Sequence, residues 1–256
     1  MGKSSKYQNI KTSALITVLI MVFAALAGDF YFDLNDDVLM KDILSGAYTG
    51  VPEGNNIQML YPISAFISIL YRINRSLDWY GIFLCFLQAL CVFIISCKLL
   101  DISKDIKLWF STVVFLPFFF LGIIGAHFLF VQYTFTCGFL SATAVVLIFT
   151  HKAKDKNLIL ALVLITVAYL LRSEMLLLTL PVVAVGILIK WALTKAEFAN
   201  YVKFLVAIVL MILVSQIVHR IAYSSADWKE FNDLFNARTE LYDFQYIPEY
   251  EENKAF

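Results

Sequence analysis

Charge is scarce in this chain, and histidine and cysteine are scarcer. Only 16% of its 256 residues are Asp, Glu, Lys or Arg, against roughly a quarter in soluble globular domains, which excludes an ordinary water-soluble fold. Basic and acidic residues balance at 20 each. With no basic patch suited to phosphate backbones, nucleic acid is not an expected partner. Cys85, Cys91, Cys97 and Cys137 fall inside apolar runs without CxxC or Cys/His spacing. That excludes a zinc or haem-attachment motif and leaves them as small buried hydrophobes. The ten glycines form no phosphate-binding loop, and neither HExxH nor GxSxG occurs. There is no internal repeat, no low-complexity tract and no separate soluble domain.

Apolar surface is what the chain has in abundance: 61% of it is hydrophobic, with a mean hydropathy of +0.77. This composition predicts an all-α, polytopic membrane helix bundle. Apolar runs at 13–28, 79–96, 108–125, 128–150, 158–171, 175–189 and 204–222 approach the roughly 17 to 25 residues of a spanning helix. Ala25-Leu26-Ala27 after the first run formally resembles a signal-peptidase site, but with so many runs following, an uncleaved first helix is expected.

An eighth run, 57–73, carries Tyr61, Pro62 and Tyr71, with Arg72 and Arg75 at its end. Short cytoplasmic loops collect Lys and Arg, so loop charge arbitrates its placement. If the run does not cross, the lysines at 3/6/11, 98/104/107, 152/154/156 and 190/195/203 all fall on the cytoplasmic side; if it crosses, every later group flips. The run is therefore read as lying in the outer leaflet. The expected topology has about seven spans in the cell membrane, N-terminus cytoplasmic and C-terminus extracytoplasmic. A transmembrane module covers 1–223, with a long first outer loop at 29–78. The tail, 224–256, reads as extracytoplasmic, with Trp228, Phe231, Phe235 and Tyr242 near helical spacing on a membrane-lying helix, and as the start of a C-terminal part beyond Phe256.

Chemistry is expected on the outer face, where this topology gathers most of the acidic residues. Asn35-Asp36-Asp37 follows the first span. Asn35 or Asp36 suits a helix N-cap; Asp37, or else Asp36, suits a general base held near lipid so that its pKa can rise. The run 158–189 is too long for one span and barely long enough for two, so the turn at Arg172-Ser173-Glu174 should lie just below the outer surface. Charges at that depth either pair or face a wet cavity: an Arg172/Glu174 ion pair and an arginine aimed at phosphate are both consistent with it. Gln132, Tyr133 and Thr134, with His127 just before them, serve either helix-helix hydrogen bonding or contact with a sugar or headgroup. Glu53 in the outer loop, Glu174 at the turn and Arg238 in the tail are candidates for further substrate contacts; Arg238 with Glu240 and Asp243 otherwise forms a charged, solvated face. His219 and Arg220 would snorkel or join the cavity. Asp36 and Asp37 could hold a divalent cation if a third oxygen ligand approached.

The order of these parts resembles the GT-C superfamily of membrane glycosyltransferases. The resemblance rests on the first span, the outer loop opening with Asn35-Asp36-Asp37 and continuing through Ser45-Gly46-Ala47-Tyr48-Thr49-Gly50-Val51-Pro52, the membrane-lying stretch, and the antiparallel spans after it. It implies a polyprenyl-phosphate sugar donor, with Asp36 or Asp37 as the base and Arg172 at the lipid phosphate. It also implies that 57–73 guides the prenyl chain among the membrane lipids. Two other classes compete: a transporter or flippase, against which stands the lack of a two-fold internal pattern, and a non-catalytic subunit of a surface-polysaccharide assembly.

Overall fold

The computed structural model describes residues 5–56, 58–150, 156–194 and 198–239. Its helices are α1 (Lys6–Ala27), α2 (Asn35–Ser45), α3 (Tyr61–Ile73), α4 (Trp79–Ile102), α5 (Ile106–Ile124), α6 (Tyr133–Phe149), α7 (Asn157–Leu171), α8 (Ser173–Thr194), α9 (Phe198–Ala222) and α10 (Ala226–Thr239). A single 3-10 turn, Gly125–Phe128, follows α5. Two short strands, β1 (Tyr31–Phe32) and β2 (Phe130–Val131), pair in parallel.

Several helix starts are written in the sequence. Ser5 accepts from the Gln8 amide at 3.1 Å to cap α1, Asp78 accepts from Gly81 at 3.1 Å to cap α4, and Asp105 accepts from Lys107 and Leu108 at 2.9 Å to cap α5. Each supplies an acceptor to amides that the helix leaves unpaired. Pro62 occupies the first turn of α3, where its missing N–H costs nothing.

Four segments, Lys6–Ala27, Trp79–Ile102, Ile106–Phe128 and Ala199–Ala222, are long and apolar enough to cross a bilayer. The apolar helices Tyr61–Ile73, Tyr133–Phe149, Asn157–Leu171 and the segment Val183–Ala192 are shorter. At about 1.5 Å rise per residue, α3 reaches roughly 20 Å against a hydrocarbon core of about 30 Å. α6 and α7 fall short by the same measure, so helix length does not set 57–73 apart from them. α6 is the hub of the bundle, packing on α4, α7 and α8; α1 lies against α4 and α5, and α9 against α7 and α3. Leu84, Cys91, Leu140, Leu147 and Leu164 are buried between them. Along α9, Val206, Val209, Leu210, Leu213, Val214 and Ile217 stand exposed, an apolar face suited to lipid rather than water.

The run 128–150 departs from the expected single span. Helix begins only at Tyr133, because the backbone ahead of it is drawn into pairing with the loop after α1: Tyr31 N–H donates to Leu129 O and Asp33 N–H to Val131 O, both at 3.1 Å. Other runs grow instead, α1 back to Lys6, α4 forward to Ile102 and α9 back to Phe198, while 57–73 shortens to Tyr61–Ile73.

The loop after α2 turns on Gly46, whose φ is +77°. A Cβ there would stand 2.4 Å from the Val51 carbonyl carbon, so both the left-handed backbone and the space require glycine. Gly46→Ala is expected to cost about 2 kcal/mol or more, read as a lowered Tm of the protein in lipid nanodiscs.

Candidate functional site

The two neighbouring acids that follow the loop after α1 have opposite surroundings. α2 opens at Asn35 behind an extended Leu34, and no side chain caps it, which corrects the expectation that Asn35 or Asp36 is the N-cap. Asp36 points to solvent. Asp37, one residue on, faces inward and is 0% exposed.

Asp37 Oδ1 accepts the Tyr80 hydroxyl at 2.7 Å and the Tyr133 amide at 3.1 Å. The second contact supplies α6 with the cap that Gln132 does not give it. Oδ2 is buried and meets no hydrogen-bond donor. Burial pushes the Asp37 carboxyl up to about 6; the Tyr80 and Tyr133 hydrogen bonds pull it back, and the Asp36 and Asp33 charges raise it further. A carboxylate with one oxygen anchored, one unpaired and a pKa near the working range has the properties of a general base.

Behind Asp37 the contacts continue. Tyr80 begins the buried face of α4, and its amide donates to the Tyr71 hydroxyl at 3.0 Å, which donates in turn to Asp78 Oδ1 at 2.7 Å. These residues fix the phenol that holds Asp37, and sequence reasoning missed them. Their signal was Asp78-Trp79-Tyr80 at the mouth of an apolar run, since a buried tyrosine hydroxyl usually finds a partner. Tyr80→Phe removes the stronger of the two hydrogen bonds that lower the Asp37 pKa. The acidic limb of any Asp37-dependent pH profile is expected to move above pH 6 in that variant, which a pH titration of activity checks.

Arg172 is the whole junction between α7 and α8. Its backbone is extended, with φ −153° and ψ 96°, and Ser173 and Glu174 already belong to α8. The turn is thus tighter than the expected Arg172-Ser173-Glu174, and it turns the Arg172 side chain toward α6. There Nη1 donates to Thr134 Oγ1, and the guanidinium carbon stands 5.0 Å from the centroid of the Tyr133 ring. Nε lies 4.0 Å from Glu174 Oε2, whose side chain is 78% exposed; so open a pair contributes little.

Asp37 and Arg172 therefore meet at the same residue, one on the backbone of Tyr133 and the other over its ring. Tyr133 itself is 0% exposed. Gln132 stands just ahead of α6, its carbonyl accepting from the Thr136 amide and hydroxyl at 3.0 and 2.9 Å. His127 stacks on Phe135 with ring centroids 4.0 Å apart.

The remaining candidates lie elsewhere. Glu53 Oε1 accepts the Asn55 amide at 2.9 Å, where the loop meets the end of α9: Tyr223 donates to Asn56 O at 2.8 Å and His219 Nδ1 accepts from the Tyr61 amide at 3.2 Å. His219 thus ties α9 to the start of α3 rather than snorkelling. Arg238 is in the exposed last turn of α10. Glu240, Tyr242 and Asp243 lie outside the described residues. Among the described residues no three His, Cys, Asp or Glu side chains gather as a metal site needs, so no third side chain of these types joins Asp36 and Asp37 there. No family model matches this chain, and neither does any curated protein or solved structure.

Proposed function

We propose that the protein is a membrane glycosyltransferase of the GT-C kind, moving a sugar from a polyprenyl-phosphate donor to an acceptor hydroxyl at the outer face of the cell membrane. The observation that carries this reading is the convergence of Asp37 and Arg172 on Tyr133, a proton acceptor on its backbone and a phosphate-matching cation over its ring. In the reaction, Asp37 Oδ2 takes the proton of the acceptor hydroxyl as its oxygen attacks the anomeric carbon. The bond from that carbon to the lipid phosphate oxygen breaks, and the Arg172 guanidinium offsets the negative charge left on the phosphate.

The reading includes a topology: about seven spans, N-terminus inside and C-terminus outside. The Asp37 cluster then stands at the outer face, with α3 lying in the outer leaflet beside the prenyl chain. Burial separates the two neighbouring acids, and only Asp37 is assigned the base. The test is transfer from a polyprenyl-phosphate-linked sugar by the full chain in lipid vesicles, comparing wild type, Asp36→Asn and Asp37→Asn. Loss in the Asp37 variant with retention in the Asp36 variant supports the reading; equal activity in all three removes it.

A further inference from the structure

We infer that the groove between the end of α4 and the start of α5 is a binding site for an anionic phospholipid, its phosphate at Lys104 and an acyl chain along α5. The inference is independent of the transfer reaction and rests only on α4 and α5 crossing the bilayer.

Both helices are long and apolar enough to cross, so the turn that joins them, Ser103 to Asp105, stands at the boundary between water and hydrocarbon. Beside that turn is a cavity of about 280 Å³. Leu99, Ile102 and Ser103 form its α4 wall, and Leu108, Thr112 and Phe115 form its α5 wall. The α5 residues follow the four- and three-residue steps of a single helix face. At roughly 1.5 Å per residue the wall runs about 10 Å from the turn toward the bilayer interior. Leu108 and Phe115 are 47% and 56% exposed, so the groove is open to lipid along its length.

The hydroxyls and carboxylates nearby are already engaged. Ser103 Oγ donates to Leu99 O at 3.0 Å and Thr112 Oγ1 to Leu108 O at 2.8 Å, and the two hydroxyl oxygens stand 3.3 Å apart where the walls meet. Asp105 accepts the Lys107 and Leu108 amides, and Asp101 accepts from Asn9 Nδ2 at 2.7 Å. Lys104, at the mouth of the cavity, is exposed and pairs with no carboxylate among the described residues. A cation at the watery end of an apolar groove complements a molecule with an anionic head and an apolar tail. Inorganic phosphate would leave the walls uncovered, and a neutral lipid would leave the ammonium without a counter-charge. In the proposed topology this turn meets the cytoplasmic leaflet, whose anionic lipids attract basic residues close to a span.

The full chain in detergent, titrated with phosphatidylglycerol and followed by native mass spectrometry, is expected to retain this lipid more tightly than phosphatidylcholine. Lys104→Gln is expected to weaken phosphatidylglycerol binding about fivefold. Lys107→Gln removes the same charge from a residue outside the cavity wall and is expected to weaken it by no more than about twofold. Leu108→Trp keeps the charge and fills the groove; retention should fall at least about tenfold, with the lipid-free Tm unchanged. Equal retention of the two lipids by the wild type, equal losses in the two lysine variants, or full retention in Leu108→Trp each overturns the site and leaves the Asp37 reaction standing.

Discussion

Asp37→Asn is expected to yield a protein that is more stable at neutral pH and slower at sugar transfer by 10²- to 10⁴-fold, roughly the range of general base catalysis. Asparagine keeps an acceptor oxygen for the Tyr80 hydroxyl and the Tyr133 amide, so the cap on α6 survives. What disappears is a buried negative charge. The folded-state pKa of Asp37, about 6, lies above its ordinary value of 3.8. Its contribution to stability is therefore fully present below about pH 4 and is lost as pH rises through 6. The shift corresponds to about 3 kcal/mol, from which the unpaired amide of asparagine subtracts part. Thermal melts of wild type and variant across pH 4 to 8 are expected to diverge upward through that window, with asparagine gaining. A purely structural Asp37 would show the stability gain without the loss of transfer. In the wild type, transfer at limiting substrate is expected to fall tenfold per pH unit below about 6, in step with the deprotonated fraction of Asp37.

Arg172→Gln is the second large effect. Removing the cation that faces the departing phosphate is expected to cost on the order of 10²-fold in transfer, the typical loss when one charge-stabilising donor is deleted. Arg172→Lys restores charge without the planar fork and should recover only part of it. Folding is expected to suffer little, because the side chain is joined to neutral groups and to one open carboxylate. Steady-state transfer assays paired with melts of the same preparations separate the two readouts.

Much of the helical pattern was legible in the sequence, because apolar runs and acidic caps are local signals. Pro62 and the tyrosines announced α3, and Asp78 and Asp105 marked the starts of α4 and α5. The break ahead of α6 was not legible, since it depends on Phe130 and Val131 meeting Tyr31 and Phe32 from far along the chain. The site divides in the same way. Loop order brought Asp36, Asp37 and Arg172 forward together, but two adjacent aspartates look alike in sequence. Only the rotation of α2 about its axis makes one exposed and the other buried. Tyr80 and Tyr71 stayed hidden because their roles exist only once α2, α3 and α4 have packed.

The short pairing of β1 with β2 has a mechanical consequence. It clasps the loop after α1 to the segment that leads into α6, a few residues ahead of Asp37 on one side and just ahead of Tyr133 on the other. The strand hydrogen bonds and the Asp37 contact to the Tyr133 amide thus fasten the same two segments at successive points, so the acid is held in register with the start of α6 by backbone as well as by its own side chain.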